Sequence, residues 1–281
     1  MSSTCILTDC TAQFPQYGFQ GKNDVRVIPH RIEFRGQVYE EGKDIRTTDL
    51  PPSARGSFYP RLLTPPVEQM QELLTNLSAH YHHIIAIISS SYLTPLFAQV
   101  EKAAAQVRGR VWVTLIDSQT TSIGLGLLVQ SAAEAVAQGV APMEVERLVR
   151  SLIPHIYMML CTPGMSYLSR AGYLDESQAF VGEMLGMMPI FTLEEGQLSA
   201  VEKVRNSRGL VDFMQEFLLE FDELQHIAFL QSTPPSTHEA RLMREHAQSC
   251  FSQTPFTELN INLPLATLFG PRSIGMVVME K

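Results

Sequence analysis

Three consecutive serines, Ser89, Ser90 and Ser91, followed two residues later by Thr94, put four hydroxyls into a short stretch of chain. Hydroxyls so placed have two chemical uses. They can donate hydrogen bonds to the polar or anionic end of a ligand, or one of them can act as a nucleophile beside a base. The nearby histidines His80, His82 and His83 supply a candidate base. A serine hydrolase needs that base within hydrogen-bond reach and commonly has glycines flanking the serine. Here the apolar run Ile84–Ile88 separates the histidines from the serines, and no glycine flanks Ser89–Ser91. As a metal site the three histidines lack a fourth ligand at a workable spacing. The hydroxyls therefore read as ligand donors or as turn and capping groups, and the local sequence leaves both open.

The flanking elements decide where these side chains stand. Ile84 to Ile88 is a continuous apolar run, the pattern of a strand covered on both faces. Thr94 followed by Pro95 reads as an N-cap with proline at the first helical position, and Leu96, Phe97, Val100, Ala103, Ala104 and Val107 recur at helical spacing. The same order of strand, polar turn and helix recurs. Thr4–Leu7 ends in Thr8-Asp9-Cys10-Thr11, and Val111–Ile116 ends in Asp117-Ser118 before a helix over Ser122–Gln138. Such alternation predicts a parallel, doubly wound α/β sheet with its polar turns on one edge, where open sheets gather ligands and helix N-termini offer free N–H groups. Gly124 and Gly126 inside the third helix lower its stability by roughly 1 kcal/mol each, which points to a close backbone approach. They do not form a dinucleotide fingerprint, since no strand-to-helix glycine turn precedes them.

Elsewhere the sequence predicts a strand at Val25–Ile28, a hairpin over Ile32–Tyr39 turning at Arg35-Gly36-Gln37, a surface loop over Gly42–Arg55 and a helix from Pro65 to Leu77. A helix over Pro142–Leu152 and a strand over Ile156–Cys161 follow, and a domain boundary falls near Thr162-Pro163-Gly164, giving domains 1–161 and 162–281. The second half has a mixed-sheet α+β rhythm. It holds a hairpin of Met188–Leu193 and Gln197–Val204, helices at Gly209–Asp222 and Ser236–Cys250, and strands at Ile227–Leu230, Phe256–Leu263 and Ile274–Met279. Methionine is abundant where this half begins. Met158, Met159, Met165, Met184, Met187 and Met188 accompany Phe180, Leu185 and Phe191, a set that fits a flexible apolar ligand as well as it fills irregular core gaps.

Composition narrows the partners. The 281 residues carry 29 acidic and 21 basic side chains, a net charge of -8, without a Lys/Arg cluster, which excludes a nucleic-acid backbone as the expected partner. The hydrophobic share of 45% suffices for a substantial core. Four cysteines without CxxC spacing, together with an N-terminus that lacks a basic and apolar leader, predict a cytoplasmic protein with reduced thiols. No apolar run reaches membrane-spanning length.

Motifs along almost the whole chain resemble the DegV family of fatty-acid-binding proteins. Ile6-Leu7-Thr8-Asp9-Cys10-Thr11 is similar to its ILTDST, Ile28-Pro29-His30-Arg31-Ile32 to its VPLRI, and Gly36-Gln37-Val38-Tyr39 to its following hairpin. Ile87-Ile88-Ser89-Ser90 resembles its ISS, Ile116-Asp117-Ser118 its IDS, Ser122-Ile123-Gly124-Leu125-Gly126 its SxGLG, and Tyr167-Leu168-Ser169-Arg170-Ala171-Gly172 its YLxRGGR segment. The resemblance implies a two-domain α/β fold that buries one long-chain fatty acid or related acyl lipid between and within its domains, as a non-catalytic carrier without cofactor or metal. It also implies a separate fatty-acid kinase as a possible partner. The alternatives are a closed-pocket interaction protein without ligand, and a serine hydrolase.

The departures fall where the family holds the carboxylate. Leu62 and Leu63 stand at the Thr and Ser of its TSQPS, Leu93-Thr94 at the Ser-Gly of its LSGT, and Leu268 at the His of its HTGPG, while Tyr173 replaces the arginine of GGR. A carboxylate facing leucines without donors is penalised by several kcal/mol, so those positions cannot keep the old role. The expected head-group region is accordingly Thr64, Ser89, Ser90, Ser91 and Thr94 with Arg170 and Arg272, beside Leu62, Leu93 and Leu268. The expected tail region is Met158, Met165, Phe180, Met184, Leu185, Met187 and Phe191.

Overall fold

The computed structural model describes residues 4–40, 43–56 and 59–281. The chain divides into two compact units. Unit 1 comprises Met1–His30, Leu63–Pro154 and Glu195–Gln197, and unit 2 comprises Arg31–Leu62, His155–Glu194 and Leu198–Lys281. Residues 31–62, well ahead of residue 162, thus group with the second unit.

Unit 1 is built on four parallel strands, β1 (Thr4–Asp9), β2 (Val25–Ile28), β6 (His83–Ile88) and β7 (Trp112–Asp117), in the order β2-β1-β6-β7. The two central strands, β1 and β6, are the most buried, and Ile84 to Ile88 have no exposed surface. Alternation along each strand sorts the core into two faces. Cys5, Leu7, Ile84, Ala86 and Ile88 pack with Met70, Leu74 and Leu77 of α1 (Val67–Ser78) and with Leu96, Val100 and Ala103 of α2 (Leu96–Gln106). On the opposite face α3 (Ser122–Ala137) packs on β1 and β6, and α4 (Pro142–Leu152) on β6 and β7. Helices on both faces of a parallel sheet are the doubly wound arrangement that the strand–turn–helix repeats predict.

Two details bear on the site. Gly126 is required by close approach, because a Cβ there would overlap the Gln13 carbonyl. The second concerns the start of α2, which lies at Leu96 with Pro95 in the cap position and no side-chain cap bond. Thr94 is therefore not the N-cap that its sequence suggests, and its hydroxyl is left for other use.

Unit 2 holds a six-stranded mixed sheet of β8 (Ile156–Cys161), β9 (Met188–Glu194), β10 (Gln197–Val204), β11 (Leu224–Gln231), β12 (Phe256–Asn260) and β13 (Ile274–Glu280), ordered β10-β9-β8-β13-β11-β12. One face packs on α7 (Ser207–Leu218) and α8 (Thr237–Cys250): Met159, Cys161, Ile227, Phe229, Met276 and Val278 meet Leu210, Met214, Phe217 and Met243. The expected methionine cluster is divided by this pleat. Met159 belongs to that core, with Met188 packed against it, whereas Met158 points to the other face. A second sheet is formed by the hairpin β3 (Arg31–Phe34) and β4 (Gln37–Glu40) with β5 (Arg61–Leu63). The hairpin turns on Arg35 and Gly36, both at positive φ, as its Arg-Gly-Gln sequence predicts.

Three helices have no counterpart in the sequence reading: α5 (Met165–Arg170), α6 (Glu176–Met184) and α9 (Leu263–Phe269). β12 accordingly ends at Asn260 rather than at Leu263, because Asn262 caps α9 through the Leu265 N–H. The stretch predicted as a surface loop from Gly42 to Arg55 buries Ile45, Leu50 and Ala54, and Gly42 itself lies outside the described residues.

Candidate functional site

The four strands of the unit 1 sheet run parallel, so their carboxyl ends share one edge, and polar residues gather there. The Asp9 carboxylate, at the end of β1, organises the edge. Its Oδ1 accepts hydrogen bonds from the Thr11 N–H at 2.9 Å and the Thr11 hydroxyl at 2.6 Å, and its Oδ2 accepts from the Ser89 N–H at 2.8 Å. A carboxylate with no exposed surface is tolerated because several donors replace its water. Asp117 repeats the device at the end of β7, accepting from the Gln119 N–H at 3.0 Å and from the Ser91 N–H at 3.3 Å. The Ser90 N–H donates to the Thr120 carbonyl at 2.8 Å and the Ser118 N–H to the Ile88 carbonyl at 3.0 Å, which joins the loops after β6 and β7.

On this braced edge stands a group of buried polar atoms without a hydrogen-bond partner among the described residues: the hydroxyls of Thr8, Ser89, Thr94, Thr120 and Thr121, and both ring nitrogens of His30. All six residues are buried. Most buried polar groups in folded proteins are paired, so a concentration of unpaired ones on one strand-end edge is unusual and calls for a physical account. The adjacent N-terminus of α3 adds a partial positive charge that favours an acid group.

The expected head-group residues are distributed as follows. Ser89, Ser90 and Thr94 are buried, Leu93 is buried, Ser91 is exposed and Thr64 is half-buried, all in unit 1. Ser90 is already committed, its hydroxyl donating to the Gly196 carbonyl at 2.6 Å and accepting from the Tyr92 N–H at 3.2 Å. The available serine hydroxyl is that of Ser89. In unit 2, Leu62 and Leu268 are half-buried and Arg272 is exposed. Arg170 donates to the Ala54 carbonyl at 3.4 Å, approaches Glu176 at 3.6 Å and stacks over the Tyr59 ring at 4.8 Å. Sequence reasoning missed Thr8, His30, Thr120 and Thr121. The polar turns after β1 and β7 were the available signal for three of them, and His30 at the leucine of VPLRI was the signal for the fourth.

No Ser–His–Asp relay is assembled among the described residues. The oxygens of Asp9 are taken up by Thr11 and Ser89 N–H donors, and neither the Ser89 hydroxyl nor the His30 ring has a hydrogen-bond partner among those residues. His83 lies at the amino end of β6 and bonds the Thr114 hydroxyl at 2.9 Å, with burial holding its imidazole below the ordinary range. Two surface depressions of unit 1, about 870 Å³ beside Glu101 and Trp112 and about 610 Å³ beside Thr4 and Lys22, include residues of β7 and the amino end of β1 in their lining and none of the unpartnered hydroxyls.

The expected tail residues lie in unit 2 in two groups. Met158, Met165 and Phe191 are buried and Met187 is half-buried, whereas Phe180, Met184 and Leu185 on and after α6 are 51%, 68% and 65% exposed. Residues 51–56 are strapped to α5 and α6: Ser166 donates its N–H to Glu183 at 2.7 Å, Arg55 pairs with Glu183 at 2.6 Å, the Ala54 N–H reaches the Ser166 hydroxyl at 2.9 Å, and the Tyr167 hydroxyl donates to the Pro51 carbonyl at 2.6 Å. A cavity of about 190 Å³ between Arg55, Ser166, Arg170 and Phe180 is smaller than the usual small-molecule site.

Comparison with known proteins gives this architecture its kin. A DegV domain-containing protein of Caldanaerobacter subterraneus subsp. tengcongensis is 26% identical over 296 residues, covering 100% of both chains. Among solved structures, a fatty acid binding DegV family protein from Streptococcus agalactiae superposes with a TM-score of 0.86 at 20% identity over 99% of each chain. The Fatty Acid Kinase (Fak) B3 protein of Streptococcus pneumoniae, loaded with linoleic acid, superposes with a TM-score of 0.85 at 15% identity over 99% of each chain. These likenesses establish the expected two-part α/β fold. The model of the family described as uncharacterised protein, DegV family, matches residues 3–281, and the chain belongs to the DegV family.

Proposed function

We propose that this protein is a non-catalytic carrier that buries one long-chain fatty acid, with the acid group received by the strand-end edge of unit 1. The observation that carries the reading is the set of buried, unpartnered hydroxyls of Thr8, Ser89, Thr94, Thr120 and Thr121 on that edge. Hydroxyl donors can satisfy a carboxyl group where Leu62, Leu93 and Leu268 cannot. Fatty acids are bound by the Streptococcus agalactiae relative and by the Streptococcus pneumoniae protein, which is a component named for a fatty acid kinase. The apolar tail is assigned to Met158, Met165, Met187 and Phe191, and Phe180, Met184 and Leu185 form an exposed apolar stretch on and after α6. Such an exposed apolar face in one short segment fits a lipid-handling surface. At roughly 0.8 kcal/mol per methylene, a long chain has on the order of 10 kcal/mol available before the costs of association, so binding does not depend on a strong head-group grip.

The four free cysteines, with the Cys5 and Cys161 thiols pushed up to about 12 by burial, support a reducing, cytoplasmic setting. Among the described residues no helix is long and apolar enough to cross a membrane. Calorimetric titration of delipidated protein with oleate and with oleyl alcohol tests the reading. Binding of oleate at one site, with weaker binding of the alcohol, is expected; binding of neither would overturn it.

A further inference from the structure

His30 is the least accountable side chain of unit 1. It is 1% exposed, follows the end of β2, and neither Nδ1 nor Nε2 has a hydrogen-bond partner among the described residues. Its position is nevertheless fixed. Its backbone N–H donates to the Cys10 sulfur at 3.3 Å, the Cys10 N–H donates to the Ile28 carbonyl at 3.0 Å, and Asp9 and Ile28 are in register across the β1–β2 pair. A neutral imidazole has one donor and one acceptor, and leaving both buried and unmet costs stability twice over. Leucine, which the similar family segment carries at this place, would avoid that cost. A histidine here is therefore held in readiness for a polar group that arrives.

The charges around it say which group. The Asp9 carboxylate acts on the imidazole from the end of β1, opposing the effect of burial, and burial is the larger of the two, so the ring of the empty protein is held below its ordinary value. The Cys10 thiol is turned to the His30 backbone, Asp117 at the end of β7 to Ser91 and Gln119, and the neighbouring end of β6 offers the Ser89 hydroxyl. Arg31, the next residue, is exposed. A ligand carboxylate brought to this edge would meet Asp9, a second buried anion. A proton on the ring, which Asp9 favours, converts that repulsion into attraction, and the unpartnered Ser89 hydroxyl, whose own N–H donates to Asp9, is a further donor at this end of the edge.

We propose that His30 grips the acid group of the bound fatty acid and that one proton is taken up with each acyl chain. The step is a proton balance without covalent change: carboxylate, neutral imidazole and one proton from solvent become a buried imidazolium–carboxylate pair, or equally an imidazole hydrogen-bonded to the neutral acid. The inference rests on the fatty-acid reading above and adds its specificity. Proton uptake on binding makes affinity rise as pH falls, by up to tenfold per pH unit for a single coupled proton, wherever the empty ring is neutral. The edge thus selects an ionisable acid over an ester or alcohol of the same chain.

Oleate titrations of delipidated protein from pH 6.5 to 8.5, each in two buffers of different ionisation enthalpy, read affinity and proton uptake together. The unmodified protein should take up close to one proton per oleate and bind progressively more weakly as pH rises. His30→Leu should take up none, lose the pH dependence, and bind about tenfold more weakly at pH 6.5. Nitrogen-15 spectra of the His30 ring should change from neutral to protonated or acid-bonded when oleate is added, which decides the matter on the unmodified chain if the variant does not fold. Oleate binding without proton uptake, or with the same pH slope in His30→Leu, overturns the role of His30 and leaves the carrier intact. Absence of oleate binding at every pH removes both, and is recognised by the missing heat rather than by a flat pH profile.

Discussion

Ser89 and Ser90 are chain neighbours with opposite commitments. The Ser90 hydroxyl is spent on Gly196 and Tyr92, whereas the Ser89 hydroxyl is buried and unpartnered. Ser90→Ala should therefore cost about 1–2 kcal/mol of stability, since it strands the buried Gly196 carbonyl. Ser89→Ala removes an unmet buried hydroxyl, so it should leave the empty protein's melting temperature equal or slightly higher and weaken oleate binding about fivefold, roughly 1 kcal/mol. Thermal melts and calorimetry on the two variants separate the roles, and a reversed pattern would assign the ligand to Ser90. A second residue-scale outcome concerns pH. His226 is buried on β11 and bonds the Thr257 hydroxyl at 2.9 Å, and burial holds its imidazole at about 4, against an ordinary 6.5. The unfolded chain binds the proton more readily, so this contribution is complete above pH 6.5 and is lost as pH falls toward 4, by up to ~3 kcal/mol. Urea midpoints for the protein and for His226→Gln should converge across that window. At this scale the hydroxyls after Ile88 were legible in the sequence because type and spacing were enough. Which hydroxyl is free was not, because pairing is set by Gly196, more than a hundred residues away.

Elements with a strong period were legible and short buried ones were not. Ile84–Ile88, the Met70-Leu74-Leu77 stripe and the Arg35-Gly36 turn announce themselves through runs, helical spacing and turn chemistry. α5 and α9 span six and seven residues and bury most of them, so they show no polar face for a period to detect. For α9 the Asn262 cap with Pro264 in its first turn was the missed signal. The predicted close approach at Gly126 gives an element-scale test. Gly126→Ala would drive a Cβ into the Gln13 carbonyl and separate the first turn of α3 from the loop after β1, so a loss of about 3 kcal/mol is expected in denaturant melts. In unit 2, Glu183 joins Ser166, Ser53 and Arg55 through one carboxylate. Glu183→Gln should speed hydrogen exchange across residues 51–56 while leaving β11 and β13 protected; unchanged exchange would show that the strap does not depend on that charge.

At the scale of the molecule, the alternation of strand, polar turn and helix identified the parallel unit, and the family motifs identified the pair of units. The chain order hid one thing: residues 31–62 group with the second unit, a long-range association that no local period encodes. The three leucines belong to this scale, since Leu93 lies in one unit and Leu62 and Leu268 in the other. If they displace the Thr, Ser and His by which the family is expected to fix a carboxylate, the protein should present bound fatty acid poorly to an acyl kinase, because phosphoryl transfer requires a positioned carboxylate. The triple change Leu62→Thr, Leu93→Ser and Leu268→His should raise acyl-phosphate formation by a fatty-acid kinase at least tenfold without a comparable change in oleate affinity; equal rates would mean that other groups already position the acid.

The central claim, that this chain carries a single acyl ligand, is tested most directly by native mass spectrometry of the purified protein before and after delipidation. The spectrum should show one long-chain fatty acid per chain, lost on organic extraction and restored by added oleate. A spectrum of empty protein throughout, unchanged by oleate, would contradict it.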